Sequence, residues 1–151
     1  MITLVASETQ TRLLGRRLGR LLSGADVVCL FGELGAGKTT LTQGLAAGMG
    51  YKGRVTSPTF GLAREYRGRR WSIYHLDLYR VGARQTGDIG IEEYLQDPRG
   101  VCVIEWPEAA LAYYPKDRLE IRLQAIPGGR RRIFLRGLGL RSRGVVRRLK
   151  T

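Results

Sequence analysis

The stretch Gly32-Glu33-Leu34-Gly35-Ala36-Gly37-Lys38-Thr39 limits the folds open to this chain more than any other, because it sets glycines, a lysine and a hydroxyl at the spacing of a phosphate-binding loop. Gly32 and Gly37 let the backbone turn so that successive amide N–H groups face one point, and the helix that follows adds the positive end of its dipole. Lys38 supplies a mobile charge for the β- and γ-phosphates of a nucleotide, the Thr39 hydroxyl a magnesium ligand, and Thr40 a further contact at the α-phosphate. Such a loop works between a buried strand and a helix, and the flanking residues supply both. Val27-Val28-Cys29-Leu30-Phe31 is a continuous apolar run suited to a strand covered on both faces. Residues 39–49 carry Leu41, Leu45 and Ala46 on a helical face, and Gly50 is placed to end the helix.

The rest of the chain extends this unit into an α/β fold. Residues 2–5 read as a short strand, and Ser7 with Gln10 forms a capping box that opens a helix bearing Leu14, Leu18, Leu21 and Leu22. Residues 60–66 and 71–79 flank the turn Arg67-Gly68-Arg69-Arg70 as a hairpin. A short helix is expected over 88–95, a second buried strand over 101–104 ending at Glu105, and another short helix from Pro107. Strands over 119–126 and 132–135 surround the turn Pro127-Gly128-Gly129. The expected architecture is a P-loop NTPase-like three-layer fold whose central mixed sheet carries antiparallel strands.

A chain of 151 residues has the size of one domain. No apolar run approaches the roughly 20 residues that cross a bilayer, and the first residues lack the basic leader of a signal peptide. Cys29 and Cys102 each sit in an apolar run, which favours reduced core thiols over a disulfide or metal site and points to the cytoplasm. The formal charge is +13, and no acidic residue follows Glu120. We therefore expect an ATPase domain over 1–137 and a basic tail over 138–151 that is poorly ordered, with RNA contact by the tail as one reading and a solvated arginine-biased surface as the other.

A phosphate loop needs an acidic partner at the end of a neighbouring strand. Glu105 directly follows a buried strand, where a carboxylate reaches the loop end of a parallel sheet. Asp77 lies among apolar and aromatic residues, where an isolated carboxylate is costly. Both are candidates for magnesium or for positioning the attacking water, the alternative for each being an ordinary strand-end ion pair. Ser57 and Thr59, in Ser57-Pro58-Thr59-Phe60, are placed to meet the γ-phosphate or its metal, against the alternative of a proline turn. His75, the single histidine, reads as core packing.

These separated motifs together resemble the TsaE (YjeE) ATPases, which support synthesis of threonylcarbamoyladenosine beside the tRNA anticodon. The resemblance rests on the loop with Thr40, on Ser57-Pro58-Thr59-Phe60, on Tyr74-His75-Leu76-Asp77-Leu78-Tyr79-Arg80 and on Ile104-Glu105-Trp106-Pro107-Glu108, and it spans about residues 7–126. It implies an ATPase that binds ATP and Mg2+ and joins the TsaB and TsaD proteins, contacting tRNA directly or through that complex. It also implies that Thr39, Asp77 and Glu105 serve magnesium and hydrolysis, that Trp106 lies beside the site, and that the segment around Ser7 to Thr11, Thr11 included, approaches the adenine. Gly61 departs from the family pattern, as does the arginine-rich segment beyond Gly137. Rival readings are a small-molecule kinase, for which the chain has little room, a GTPase, for which it lacks the Asn-Lys-x-Asp motif, and an RNA-binding protein that ATP only regulates.

Overall fold

The computed structural model describes residues 1–58, 62–81 and 90–150. The elements in chain order are β1 (Ile2–Val5), α1 (Glu8–Gly19), β2 (Val27–Phe31), α2 (Lys38–Gly48), β3 (Ala63–Arg67), β4 (Ser72–Asp77), α3 (Ile91–Gln96), β5 (Gly100–Glu105), a 3-10 helix (Pro107–Tyr113), β6 (Leu119–Ile126), β7 (Arg130–Gly137) and α4 (Leu140–Lys150). The strands form one mixed sheet in the order β1-β7-β6-β2-β5-β4-β3. Its centre is parallel, β2 pairing with β5 and β6 and β4 with β5, while β3, β7 and β1 add antiparallel pairs at the edges.

Strand alternation sends successive residues to opposite faces, and this sorts the core into two halves. Val28, Leu30, Val101, Val103 and Ile73 meet α1, α2 and α4 on one face. Val27, Cys29, Phe31, Cys102 and Ile104 meet Ile91 of α3 and Ala110 of the 3-10 helix on the other. Both cysteines are buried free thiols, and burial pushes each up to about 12.

α1 begins as its sequence dictates: Ser7 Oγ accepts from Gln10 N–H at 3.2 Å, and Gln10 Oε1 reaches back to Ala6 N–H at 2.7 Å. α1 and α2 then run side by side in the same direction, closer than side chains ordinarily allow. A Cβ on Gly15 would come within 2.4 Å of the Leu41 carbonyl oxygen, and one on Gly44 within 2.2 Å of the Arg12 carbonyl oxygen. Backbone therefore meets backbone along this seam.

The last residues correct the expectation of a poorly ordered tail. Val145, Val146 and Leu149 fall on one face of α4 and are buried against the sheet. Asp117 accepts from the N–H groups of Arg141 and Ser142 at 2.9 and 3.0 Å, holding the start of the helix. Arg141 pairs with Asp26, and the Arg17 guanidinium donates to the Leu149 carbonyl at 2.9 Å. The arginines occupy the other faces of the helix and hid an apolar stripe. Thr59, Phe60, Gly61, Asp88 and Ile89 lie outside the described residues, so the expected hairpin is seen from Ala63 and the expected short helix from Ile91.

Candidate nucleotide site

The loop between β2 and α2 turns as its glycines require. Gly37 holds a φ of 105°, and Gly32, at 142°, runs so close to β6 that a Cβ would come within 2.4 Å of the Leu123 carbonyl oxygen. A substitution at either position strains the turn. The loop borders a cleft of about 470 Å³ lined by Leu34, Gly35, Gly37, Lys38, Thr39 and Thr40 from the loop and α2. Ala36 is buried behind them, and its N–H closes a turn on the Glu33 carbonyl at 3.1 Å.

Lys38 is nearly buried. Its ammonium donates to the carbonyls of Gly32 at 2.6 Å and Glu33 at 2.9 Å and stands 3.9 Å from the centre of the Trp106 ring. Burial holds it below the usual lysine value, against the upward pull of Glu105 and Asp77.

Pairing of β4 with β5 places Asp77 directly beside Glu105. Strand alternation puts both on the face that carries α2, at the end where α2 begins. The Thr39 hydroxyl donates to the Glu105 carboxylate, at 3.1 Å to Oε1 and 3.3 Å to Oε2. Ser57 Oγ donates to Asp77 Oδ2 at 2.7 Å, and Tyr79 N–H donates to Oδ1 at 3.0 Å. The two carboxylates are buried to 5 % and 3 % exposure, yet both line the cleft. Each is held by donors, as buried acids must be.

Trp106 follows Glu105 in a left-handed conformation, φ 56°, which costs a bulky residue about 1–3 kcal/mol. That turn brings the indole over Lys38 and against Tyr79, ring centres 4.8 Å apart.

Most of the expected residues are thus brought together, while Gly32, Glu33 and Ala36 shape the loop behind the cleft without lining it. Thr11 is fully buried and its hydroxyl donates to the Ser7 carbonyl at 3.1 Å; it does not line the cleft, whereas Glu8 of the same segment does. Three residues went unassigned in the sequence. Arg131 and Arg80 line the cleft as further cations; Arg131 is brought there by the pairing of β7 that no local motif announces, and Arg80 follows β4 at the end of the Tyr74–Arg80 motif. His75 is buried, as expected of a core residue, but its Nε2 lies 2.8 Å from Glu105 Oε1. Its position two residues before Asp77, on the same strand face, was the available signal.

The donor set suits a hard cation. The Thr39 hydroxyl and the Asp77 and Glu105 carboxylates offer oxygen ligands in the manner of magnesium bound jointly by protein and phosphates. Among the described residues no group of three or more His, Cys, Asp or Glu forms a complete metal cage, and a shared ion needs none.

Residues 5–133 match the family model described as "Threonylcarbamoyl adenosine biosynthesis protein TsaE". The chain is 43% identical to the tRNA threonylcarbamoyladenosine biosynthesis protein TsaE of Streptomyces coelicolor, covering 86% of this chain and 92% of that one. It is 35% identical to the TsaE protein of Bacillus subtilis, over 87% of this chain and 82% of the relative. The crystal structure of Bacillus subtilis YdiB superposes with a TM-score of 0.87 at 29% identity, over 99% of this chain and 93% of that one. The P-loop NTPase-like α/β fold read from the sequence is the fold observed.

Proposed function

The chain belongs to the TsaE family of tRNA threonylcarbamoyladenosine biosynthesis proteins, and from that membership we propose that it is a magnesium-dependent ATPase acting with TsaB- and TsaD-like proteins on tRNA modification in the cytoplasm. The observation that carries this reading is the convergence of Lys38, Thr39, Asp77 and Glu105 at the start of α2.

Lys38 and the loop amides hold the triphosphate and balance its charge, and Arg131 and Arg80 add positive potential over the same cleft. Thr39 and Glu105 would hold magnesium, which when bound would neutralise charge developing on the transferring phosphoryl group. Asp77, fixed by Ser57 and by the Tyr79 amide, positions the attacking water and accepts its proton. Trp106 shields Lys38 from solvent and keeps its charge near the phosphates. Hydrolysis by the chain alone is slow and is accelerated when the partner proteins complete the site.

Lys38→Ala and Glu105→Ala, assayed for phosphate release with and without TsaB- and TsaD-like proteins, test the reading. Each is expected to lower the rate by at least about 100-fold, in the range of a lost transition-state contact. Rates equal to wild type defeat the proposal. A kinase is distinguished by label from γ-labelled ATP appearing in a metabolite instead of free phosphate.

A further inference from the structure

The end of the molecule away from the phosphate loop gathers arginine and lysine side chains around two of its depressions. There the turn between β3 and β4 is fastened to the end of α2: Arg69 N–H donates to the Met49 carbonyl at 2.9 Å, and Gly68 N–H to the Trp71 carbonyl at 3.1 Å. Three depressions open around this turn and share Arg69 in their walls; one also carries Glu65 and Asp97, and the other two make a basic groove. The first of these two, about 500 Å³, is lined by Arg20, Arg69, Arg70, Arg141 and Arg148 and by no carboxylate. The next, about 910 Å³, adds Arg16 and Lys52, again with no carboxylate. Trp71 lies in the wall of the groove, half-buried, with the Arg70 guanidinium 5.1 Å from its ring centre.

The C-terminal ends of α1 and α2 present about half a negative charge each, and the Asp26 carboxylate accepts from Arg141 and from the Ser23 N–H. Positive charge gathered in a concave surface focuses its field on an anion. Several arginines line its two depressions, which fits a repeating phosphodiester better than one phosphate. Arginine also binds phosphate through its planar fork and stacks on rings.

We propose that this groove binds the sugar-phosphate backbone of RNA, and, resting on the family role above, that the RNA is the tRNA substrate. The RNA surface is then built from α1, the β3–β4 turn and α4, and the nucleotide cleft lies at the opposite end.

Fluorescence anisotropy with an unmodified tRNA transcript, using the full chain without nucleotide over a salt series, tests it. Wild type is expected to bind with a steep salt dependence. Arg69→Ala/Arg70→Ala, and separately Arg20→Ala/Arg148→Ala, are expected to bind at least tenfold more weakly, with a log–log salt slope shallower by about 1–2, since each lost phosphate contact removes about 0.7–0.9. Arg64→Ala, exposed on β3 outside the groove, should match wild type, and all variants should keep the same melting temperature and affinity for a fluorescent ATP analogue. Both double variants binding tRNA with wild-type affinity and slope overturn the proposal. So does their losing only adhesion to phosphatidylserine vesicles or to polyglutamate while tRNA binding stands. Groove-dependent tRNA binding by a chain that takes up no ATP analogue sinks the ATPase reading alone.

Discussion

Lys38 illustrates a charge kept for function at the expense of the fold. Burial lowers its pKa below 10.5 despite Glu105 and Asp77, so the protonated form is less favourable in the folded chain than in the unfolded one. Its effect on stability is therefore adverse at neutral pH and fades as pH rises through the lowered folded value toward 10.5. Lys38→Met is expected to melt no lower than wild type at neutral pH, while binding a fluorescent ATP analogue at least tenfold more weakly; a lower melting temperature contradicts this account. Wild-type affinity for that analogue should begin to fall below pH 10.5 as Lys38 loses its proton. His75 presents the opposite case. Removing it leaves the buried Glu105 carboxylate short of a partner, at a cost of about 1–3 kcal/mol. His75→Ala should show that loss in urea denaturation, and its nucleotide binding should depend less on magnesium. The loop was legible because its residues are contiguous and act through their own backbone. His75 and Arg131 were not, because they reach the site only through the pairing of β4 with β5 and of β7 with its neighbours.

Among elements, the helices show where composition misleads. α4 is rich in arginine, and a residue-by-residue reading hides Ser142, Val145, Val146 and Leu149 on one face, although their spacing is that of a docked helix. Deleting 138–151 to probe RNA binding therefore strips core side chains as well as charge, and point substitutions are the cleaner test. Glycine likewise has opposite meanings in different helices. Alanine is the better helix former by about 1 kcal/mol, and at Gly144, where nothing lies within 4 Å of a new Cβ, Gly144→Ala should raise stability by about 0.5–1 kcal/mol. At Gly15 the same change drives a methyl into the Leu41 carbonyl, and overpacking of about 1–3 kcal/mol or more outweighs propensity. Gly15→Ala should lower the urea midpoint, and equal shifts for the two variants would refute the contact. Residues 27–31 and 101–104 were readable as central strands because they are apolar throughout, the mark of burial on both faces.

For the molecule as a whole, the sequence conveyed the three layers and the mixed sheet, because apolar runs, hairpin turns and the phosphate loop each imply a local unit. It did not convey strand order. β1 lies at the edge against β7, and β2 sits between β5 and β6, arrangements decided by which faces must be buried together. Nor did it convey that a group of arginines gathers at the end away from the loop, since that grouping arises when the turn after β3 is brought to the ends of α1 and α2. The backbone contact between those helices has one more outcome. With backbone against backbone along the seam and Arg12 donating to Gln43 across it at 3.1 Å, the pair should detach from the sheet as one cooperative unit. Amide exchange should accordingly give Leu18 and Leu45, both fully shielded, the same opening free energy, and Gly15→Ala should lower the two together.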